Sequence, residues 1–427
     1  MSSCWLAVAL LAGITPAAAA DYTLGTPLGA ELPQAGALLG YAVAATADDD
    51  RPWVVAGALG QHATVFRADV ADGPLLLRQT LLNDLGADNY AIAVAVSDAT
   101  AGWIAIGANA DDATLFNAGR VDVWGLDRQG LHVRVARLLP PVPVATGNFG
   151  SALAFAGAVL AVGEPKALRV SDGIEVGAVH LYRHESGQWQ WLHTLEGPEA
   201  GARFGQSVAL SGGTLVVGAP LADAPGAVDA GALAFFVDAG DGSWTSQGRV
   251  FAADALVNDR LGTAVSVQGD LVASGAANDD KLIGADAGSV YLFSRSAGTW
   301  TEQAKLRSTQ PQVQERFGQA VSLRRDELLV GAYCVTASGC AGSGAVYVYA
   351  RTDAQWSLRQ RLAPGTEPQS FGHALAHAGP RGAVVGAFTA DGGGPADRGL
   401  LYPLEPPPDA LFADGYEAAT AVPLPLP

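Results

Sequence analysis

Positive charge is what this sequence has least of: 25 Lys and Arg stand against 42 Asp and Glu, a net charge of −17 over 427 residues. Phosphate backbones are held by clustered Lys and Arg, so nucleic acid is excluded as a partner class. An anionic membrane surface is disfavoured for the same reason. An acidic surface suits a soluble exported protein, and it also attracts divalent cations or basic partners. Long apolar runs are scarce: beyond the N-terminus none approaches the ~20 residues a membrane helix needs, so no membrane span is expected. Helical periodicity is missing as well. Cysteine is reduced to 3. Two of these, Cys334 and Cys340 in "CVTASGC", are expected to form a disulfide in an oxidising compartment. Closing so short a loop contributes roughly 2 kcal/mol. A redox or metal role asks for more ligands or a C-x-x-C spacing.

The one long apolar stretch is "MSSCWLAVALLAGITPAAAA", which ends in small residues, with Ala18 and Ala20 fitting an A-x-A cleavage pattern. Residues 1–20 read as a signal peptide that removes Cys4 and leaves Asp21 as the mature start, although the usual basic residues at its beginning are lacking. The expected destination is outside the cytoplasm: secreted, periplasmic or at the cell surface.

Glycine and short apolar segments are abundant, and they recur in order. "FGQSVALSGGTLVVGAP" from Phe204 returns as "FGQAVSLRRDELLVGAY" from Phe317 and "FGHALAHAGPRGAVVGAF" from Phe371. Seven copies begin at Leu39, Tyr90, Phe149, Phe204, Leu261, Phe317 and Phe371, 51 to 59 residues apart. A Gly-Ala or Gly-Glu pair follows each start by 14 to 18 residues, from Gly57-Ala58 to Gly386-Ala387. A third segment opens with Gly and alternates to an aromatic, as in "GSVYLF" from Gly288. A fourth carries Trp with an apolar residue six positions on: Trp189 with Leu195, Trp244 with Val250, Trp300 with Leu306, Trp356 with Leu362. An even spacing puts both side chains on one side of a strand. His132 with Leu138 and Leu75 with Leu81 keep that spacing in the earlier copies.

Each unit therefore reads as four strands, the first two apolar on both sides and expected to be covered on both faces. The small residues of the first strand suit crowding near an axis, and Gly218 reads as a bend. Four-stranded units of this length describe propeller blades. The seventh unit lacks a fourth strand, while Tyr22 and Leu28 at the other end of the chain carry the fourth-strand spacing. The two ends complete one blade only if the array closes, which also hides strand edges. The fold class is thus all-β: a seven-bladed propeller of four-stranded antiparallel blades over 21–404, closed by the N-terminal strand and followed by a Pro-rich tail, 405–427.

"FG", opening the units at Phe149, Phe204, Phe317 and Phe371, and "GAP", ending the second strand of the fourth unit at Gly218–Pro220, resemble the FG-GAP repeats of the propeller in integrin α chains and many bacterial exported proteins. Units one and two depart furthest from the pattern. The resemblance spans essentially residues 21 to 404. It implies a binding or adhesion-type module. Many such repeats hold calcium in a D-x-D-x-D-G loop between the first and second strands. Here those turns are short ("LSGGT", "VQGD", "LRRDE"), and Asp48, Asp49 and Asp50 are consecutive, so their carboxylates splay. No metal ligands and no cofactor are assigned; calcium stays open only as a family property whose usual loop is missing.

The loops after the second strands are long and varied, and they share one end of the ring with the connections between blades. They carry Asp111, Asp112, Asp172, Asp223, Asp229, Asp279, Asp280, Asp286, Asp391 and Asp397, with Cys334 and Cys340 in the sixth loop. Loops on a rigid scaffold are where binding concentrates; a solvated acidic rim, with Asp placed by turn geometry, is the alternative. His180/His184 and His373/His377 are too far apart in extended strands to share a metal. His377 falls on a core position. No nucleophile elbow, zinc signature or phosphate loop is present. The expectation is a monomeric, non-catalytic exported module binding a protein or glycan. The alternatives are a carbohydrate-active enzyme, lyase or glycoside hydrolase, with carboxylates from different blades, or a lectin with aromatic platforms.

Overall fold

The computed structural model describes residues 21–30, 35–46, 50–71, 73–83, 88–97, 102–280, 286–333, 344–365, 370–379, 382–390 and 396–405. Its strands form seven four-stranded antiparallel sheets, with no strand shared between sheets. Blade 1 holds β2 (Leu39–Ala45), β3 (Trp53–Ala58), β4 (His62–Ala68) and β5 (Leu75–Leu82). Blade 2 holds β6 (Asp88–Val96), β7 (Ile104–Ala110), β8 (Arg120–Leu126) and β9 (His132–Leu138). Blade 3 holds β10 (Ala152–Ala156), β11 (Val159–Glu164), β12 (Ala178–Glu185) and β13 (Gln188–Glu196). Blade 4 holds β14 (Ser207–Ser211), β15 (Thr214–Ala219), β16 (Ala232–Asp238) and β17 (Trp244–Val250). Blade 5 holds β18 (Leu261–Gln268), β19 (Leu271–Ala276), β20 (Ser289–Ser296) and β21 (Thr299–Leu306). Blade 6 holds β22 (Phe317–Arg324), β23 (Glu327–Ala332), β24 (Ala345–Thr352) and β25 (Gln355–Leu362). Blade 7 combines β26 (Phe371–Ala378), β27 (Gly382–Ala387) and β28 (Leu400–Glu405) with β1 (Thr23–Leu24) from the other end of the chain.

Each first strand lies against the first strands of the blades before and after it, β2 against β26 included, which closes the ring. The glycine of each opening phrase has φ near +90°, as at Gly262 and Gly318. There the first strand shifts register against the second, between Phe317 and Ala320 for example. This kink brings the phrase's backbone up to the previous blade. A Cβ built on Gly275 of blade 5 would come within 3.0 Å of the Gly318 carbonyl oxygen of blade 6, and Gly331 stands in the same relation to Gly372. Gly218 obeys the same constraint: it is needed for the approach of Gly262 in the next blade, not for a bend. Where blade 2 has Ala91 in place of the opening glycine, that alanine adopts φ 61° and still abuts Gly57.

The second strands are buried along their length, as in β3 and β15. The first strands are buried less than their sequences suggest: β2 and β18 are half-buried over most of their residues. They are the innermost strands, flanked by the first strands of the neighbouring blades, and their remaining exposure faces the axis. The fourth strands pack sideways. Trp300 stacks on Phe235 of the preceding blade with centroids 4.4 Å apart, and Trp189 packs edge-on to Trp103 at 5.0 Å. His132, standing where later units have Trp, is buried and packs edge-on against Trp53 at 4.8 Å.

The N-terminal segment closes blade 7: Thr23 pairs with Glu405 and Leu24 with Leu404, and Leu28 bridges to Leu401. Tyr22 anchors it across to blade 6. Its backbone N–H donates to Gln360 Oε1 at 2.8 Å and its carbonyl accepts from Gln360 Nε2 at 2.7 Å. Its hydroxyl donates to Glu327 Oε1 at 2.6 Å. Glu327 also meets Arg359 Nη1 at 3.0 Å and His377 Nε2 at 3.2 Å. Burial alone would raise the Glu327 pKa; hydrogen bonds from His377 and Tyr22 and the positive charge of Arg359 overturn that and hold it at about 2. His377 itself is lowered, first by burial. Among the described residues no helix is long and apolar enough to cross a membrane.

Two outcomes follow. Gly275→Ala places a Cβ against backbone and should cost about 4 kcal/mol or more, in the range of severe core lesions. Gly298→Ala, at φ +81° with open space around it, should cost only the left-handed strain of ~1–2 kcal/mol; urea unfolding of both variants tests the difference. The Glu327 carboxyl is held below its unfolded pKa of ~4.3, so its contribution is complete above that value and fades as pH falls from about 4.3 to about 2. Glu327→Gln should lack this component of the pH–stability curve; an unchanged slope in that window would contradict the clasp.

Candidate functional site

The connections after the second strands and those between blades emerge at one end of the ring and are stitched together there. In four loops a residue at positive φ stands two places before the glycine that opens the third strand: Asn117, Asp229, Asp286 and Asp397. Asn and Asp tolerate this conformation better than other non-glycine residues. Their carbonyls accept N–H groups from the connection to the next blade: Asn148 on Asn117 (3.2 Å), Arg260 on Asp229 (3.3 Å), Arg316 on Asp286 (3.1 Å) and Leu38 on Asp397 (3.1 Å). A parallel bridge then joins the glycine to the first residue of the next phrase, as for Gly119 with Phe149 and Gly231 with Leu261.

The aspartates on these loops divide into two environments. Asp111 and Asp279 are buried. Asp111 pairs with the fully buried Arg120, which also meets Asp122 at 3.5 Å. Asp279 pairs with Lys305 and accepts the Tyr291 hydroxyl at 3.2 Å; burial, then the Asp279 charge, pushes the Tyr291 pKa up. The carbonyls of Asp111 and Asp279 take the N–H of Gly119 and Gly288, both at 3.0 Å, so these residues hold loop bases from beneath. Asp112, Asp172, Asp223, Asp280 and Asp397 are exposed, and Asp229 and Asp286 are half-buried. Several of their carboxylates cap their own loops: Asp112 accepts Asn117 N at 2.6 Å, Asp223 accepts Asp229 N at 2.9 Å, and Asp280 accepts Asp286 N at 2.6 Å. At Asp172 the Ile174 N–H, at 3.1 Å, lowers the carboxyl pKa. Asp391, Cys334 and Cys340 lie outside the described residues, as do Asp48 and Asp49.

Apolar side chains share this rim with the acids. Phe116 is 65% exposed, Val142 59%, Val170 77%, Val228 57% and Val257 53%, all on the long-loop face of blades 2 to 5. Nothing in the repeat arithmetic marks them, because they fall where the copies differ most.

Nearer the axis, a collar is formed by the side chains that follow each opening "FG" and each second-strand "GA". Neighbouring blades interleave these positions. Tyr333 of blade 6 packs against His373 of blade 7 (4.9 Å), and Phe388 of blade 7 against Tyr41 of blade 1 (5.3 Å). His373 completes the group at 4.7 Å from both Tyr41 and Phe388. Across blades 2 and 3 two of these positions are polar: Asn109 Nδ2 donates to Ser151 Oγ at 3.0 Å, while Ile92 and Pro165 hold the other two. Asn89, one residue before the opening phrase of blade 2, donates its Nδ2 to Asn109 Oδ1 at 3.2 Å. The sequence carried a signal for this collar, a fixed position in every copy, that a search for titratable groups passes over.

The histidines serve the frame. His180 contacts Glu164 at 2.7 Å and Thr194 at 2.9 Å; His184 packs on Trp103 and Trp189; His377 contacts Ser322 at 2.8 Å. Among the described residues no three His, Cys, Asp or Glu side chains gather closely enough to hold a metal ion. Trp244 and Trp300 are buried.

An FG-GAP repeat model matches residues 194–234, 244–293 and 300–349. No curated protein matches the chain.

The two aspartate environments separate by mutation. Asp111→Ala leaves Arg120 short of its nearest counter-charge inside the protein and should cost about 3 kcal/mol. Asp112→Ala, one residue on, removes an exposed loop cap and should cost about 1 kcal/mol. Thermal and urea unfolding check the ranking; equal losses would contradict it.

Proposed function

The chain is an FG-GAP repeat β-propeller, and from that premise we propose that it is an exported, non-catalytic interaction module that docks a partner protein on its long-loop face. The observation that carries this reading is the combination on one stitched rim of exposed apolar side chains, Phe116, Val142, Val170, Val228 and Val257, with exposed aspartates. Apolar contacts surrounded by charge are how protein interfaces are built. The loops are held by backbone bonds between neighbouring blades, so the rim is pre-organised and little ordering cost opposes binding. The excess of acid on this rim favours a partner that brings Lys or Arg around an apolar centre, which speeds encounter and fixes orientation. The signal-like N-terminal sequence is what supports export in this proposal.

Binders selected from a displayed library of extracellular protein fragments against the mature protein test the reading. They should be enriched in basic residues and lose about tenfold in affinity, ~1.4 kcal/mol, on Phe116→Asp or Val170→Asp, with the thermal midpoint unmoved. Binders indifferent to both substitutions would contradict it.

A further inference from the structure

The centre of the long-loop face has a chemistry opposite to its rim. At the positions following the opening "FG" and the second-strand "GA", no blade carries Asp, Glu, Lys or Arg, in a chain whose net charge is −17. What stands there instead is an arc of aromatic rings over blades 6, 7 and 1, with Asn109 and Ser151 bonded to each other over blades 2 and 3 and Gln206, Thr263 and Gln319 after the opening pair of blades 4 to 6. Tyr41, Tyr333, His373 and Phe388 are all half-buried, so ring surface remains open to solvent. They are also fixed: each ring sits at the axial end of an inner strand pair whose backbone is locked against the next blade, and the four hold one another at centroid distances of 4.7 to 5.3 Å.

His373 does not add charge. Its Nδ1 lies 3.0 Å from the Tyr41 carbonyl, and burial lowers its pKa to about 4, so the imidazole is neutral near neutral pH. An anionic ligand finds no counter-charge in this collar. A wholly apolar ligand would displace water from the remaining donor and acceptor capacity of the amides and hydroxyls without replacing it, which costs affinity. A neutral pyranose matches both arcs: its C–H face lies on aromatic surface, and its hydroxyls exchange hydrogen bonds with amide and hydroxyl groups, which both donate and accept.

We propose that this aromatic–amide collar at the centre of the long-loop face is a binding site for neutral pyranose units of a glycan. The inference rests on the reading of this face as the binding face, but it uses different residues. Rim and collar fail separately.

The test is an array of neutral, uronate-bearing and sulfated oligosaccharides probed with the full mature chain, followed by titration calorimetry of the hits. Neutral oligosaccharides should bind. Phe388→Leu, which removes a ring while keeping an apolar side chain, and Tyr41→Ala should each weaken that binding about tenfold or more, as loss of an aromatic contact does. Tyr41→Phe should retain it, and so should the rim variant Phe116→Asp. Three results would overturn the assignment: no neutral oligosaccharide bound, binding confined to uronate or sulfated sugars, or binding indifferent to Tyr41 and Phe388. Ring-dependent binding of a quaternary ammonium compound without any sugar binding would overturn it too, since that is the cation–π alternative. Glycan failure with Phe116-dependent protein binders intact sinks the collar alone; the converse sinks the rim alone.

Discussion

Backbone packed against backbone at the blade seams is the constraint from which this structure follows. The glycine that ends each second strand lies where a side chain would strike the carbonyl of the next blade's opening phrase, at Gly57, Gly107, Gly163, Gly218, Gly275, Gly331 and Gly386 alike. The last of these abuts Gly40, which joins the end of the chain to its beginning. Seven equivalent approaches around a circle fix the rotation from one blade to the next. They also explain why the repeated words contain glycine: each word is one half of a contact whose other half lies in the neighbouring copy. The large residues between, Phe149, Phe204, Phe317 and Phe371, are fully buried beside those seams and supply the apolar burial that close approach makes available.

Because the seams hold the frame, the loops at one end can vary without loosening it. In blades 2, 4, 5 and 7 the loop is tied at its base by a left-handed Asn or Asp whose carbonyl accepts a hydrogen bond from the connection to the following blade. Rigidity near the axis and variation at the rim are what a recognition surface needs. Charge is distributed to match: the buried Asp111 and Asp279 are paired with Arg120 and Lys305, and the half-buried Glu327 with Arg359, while exposed aspartates crown the loops. Such burial without a partner would be prohibitive.

Much of this was legible in the sequence, and the parts that were not share a cause. Blade number, strand order and the closure through Tyr22 and Leu28 follow from spacings that repeat, because local strand geometry translates an even interval into a shared face. His132 was legible as a stand-in for Trp on the same ground. Gly218 was misread as a bend because its real constraint, the carbonyl of Gly262, lies in another copy. The tandem pairs Asp111-Asp112 and Asp279-Asp280 look alike along each pair, yet the first member dips under its loop to a buried cation and the second faces water. No periodicity distinguishes them; the partners Arg120 and Lys305 come from other strands. The collar of Tyr41, Tyr333, His373 and Phe388 was hidden similarly, since its members come from three blades and meet only once the ring is closed.

The most direct measurement is amide hydrogen exchange at the seams. Leu39 N–H donates to the Arg398 carbonyl across the seam between blades 7 and 1, and Leu261 N–H donates to the Ala230 carbonyl across the seam between blades 4 and 5, at 3.1 and 2.9 Å. If backbone contact closes the circle, the two amides are protected to a similar degree and lose protection together under mild denaturant. Free exchange at Leu39 while Leu261 stays protected would show an open array and contradict the account.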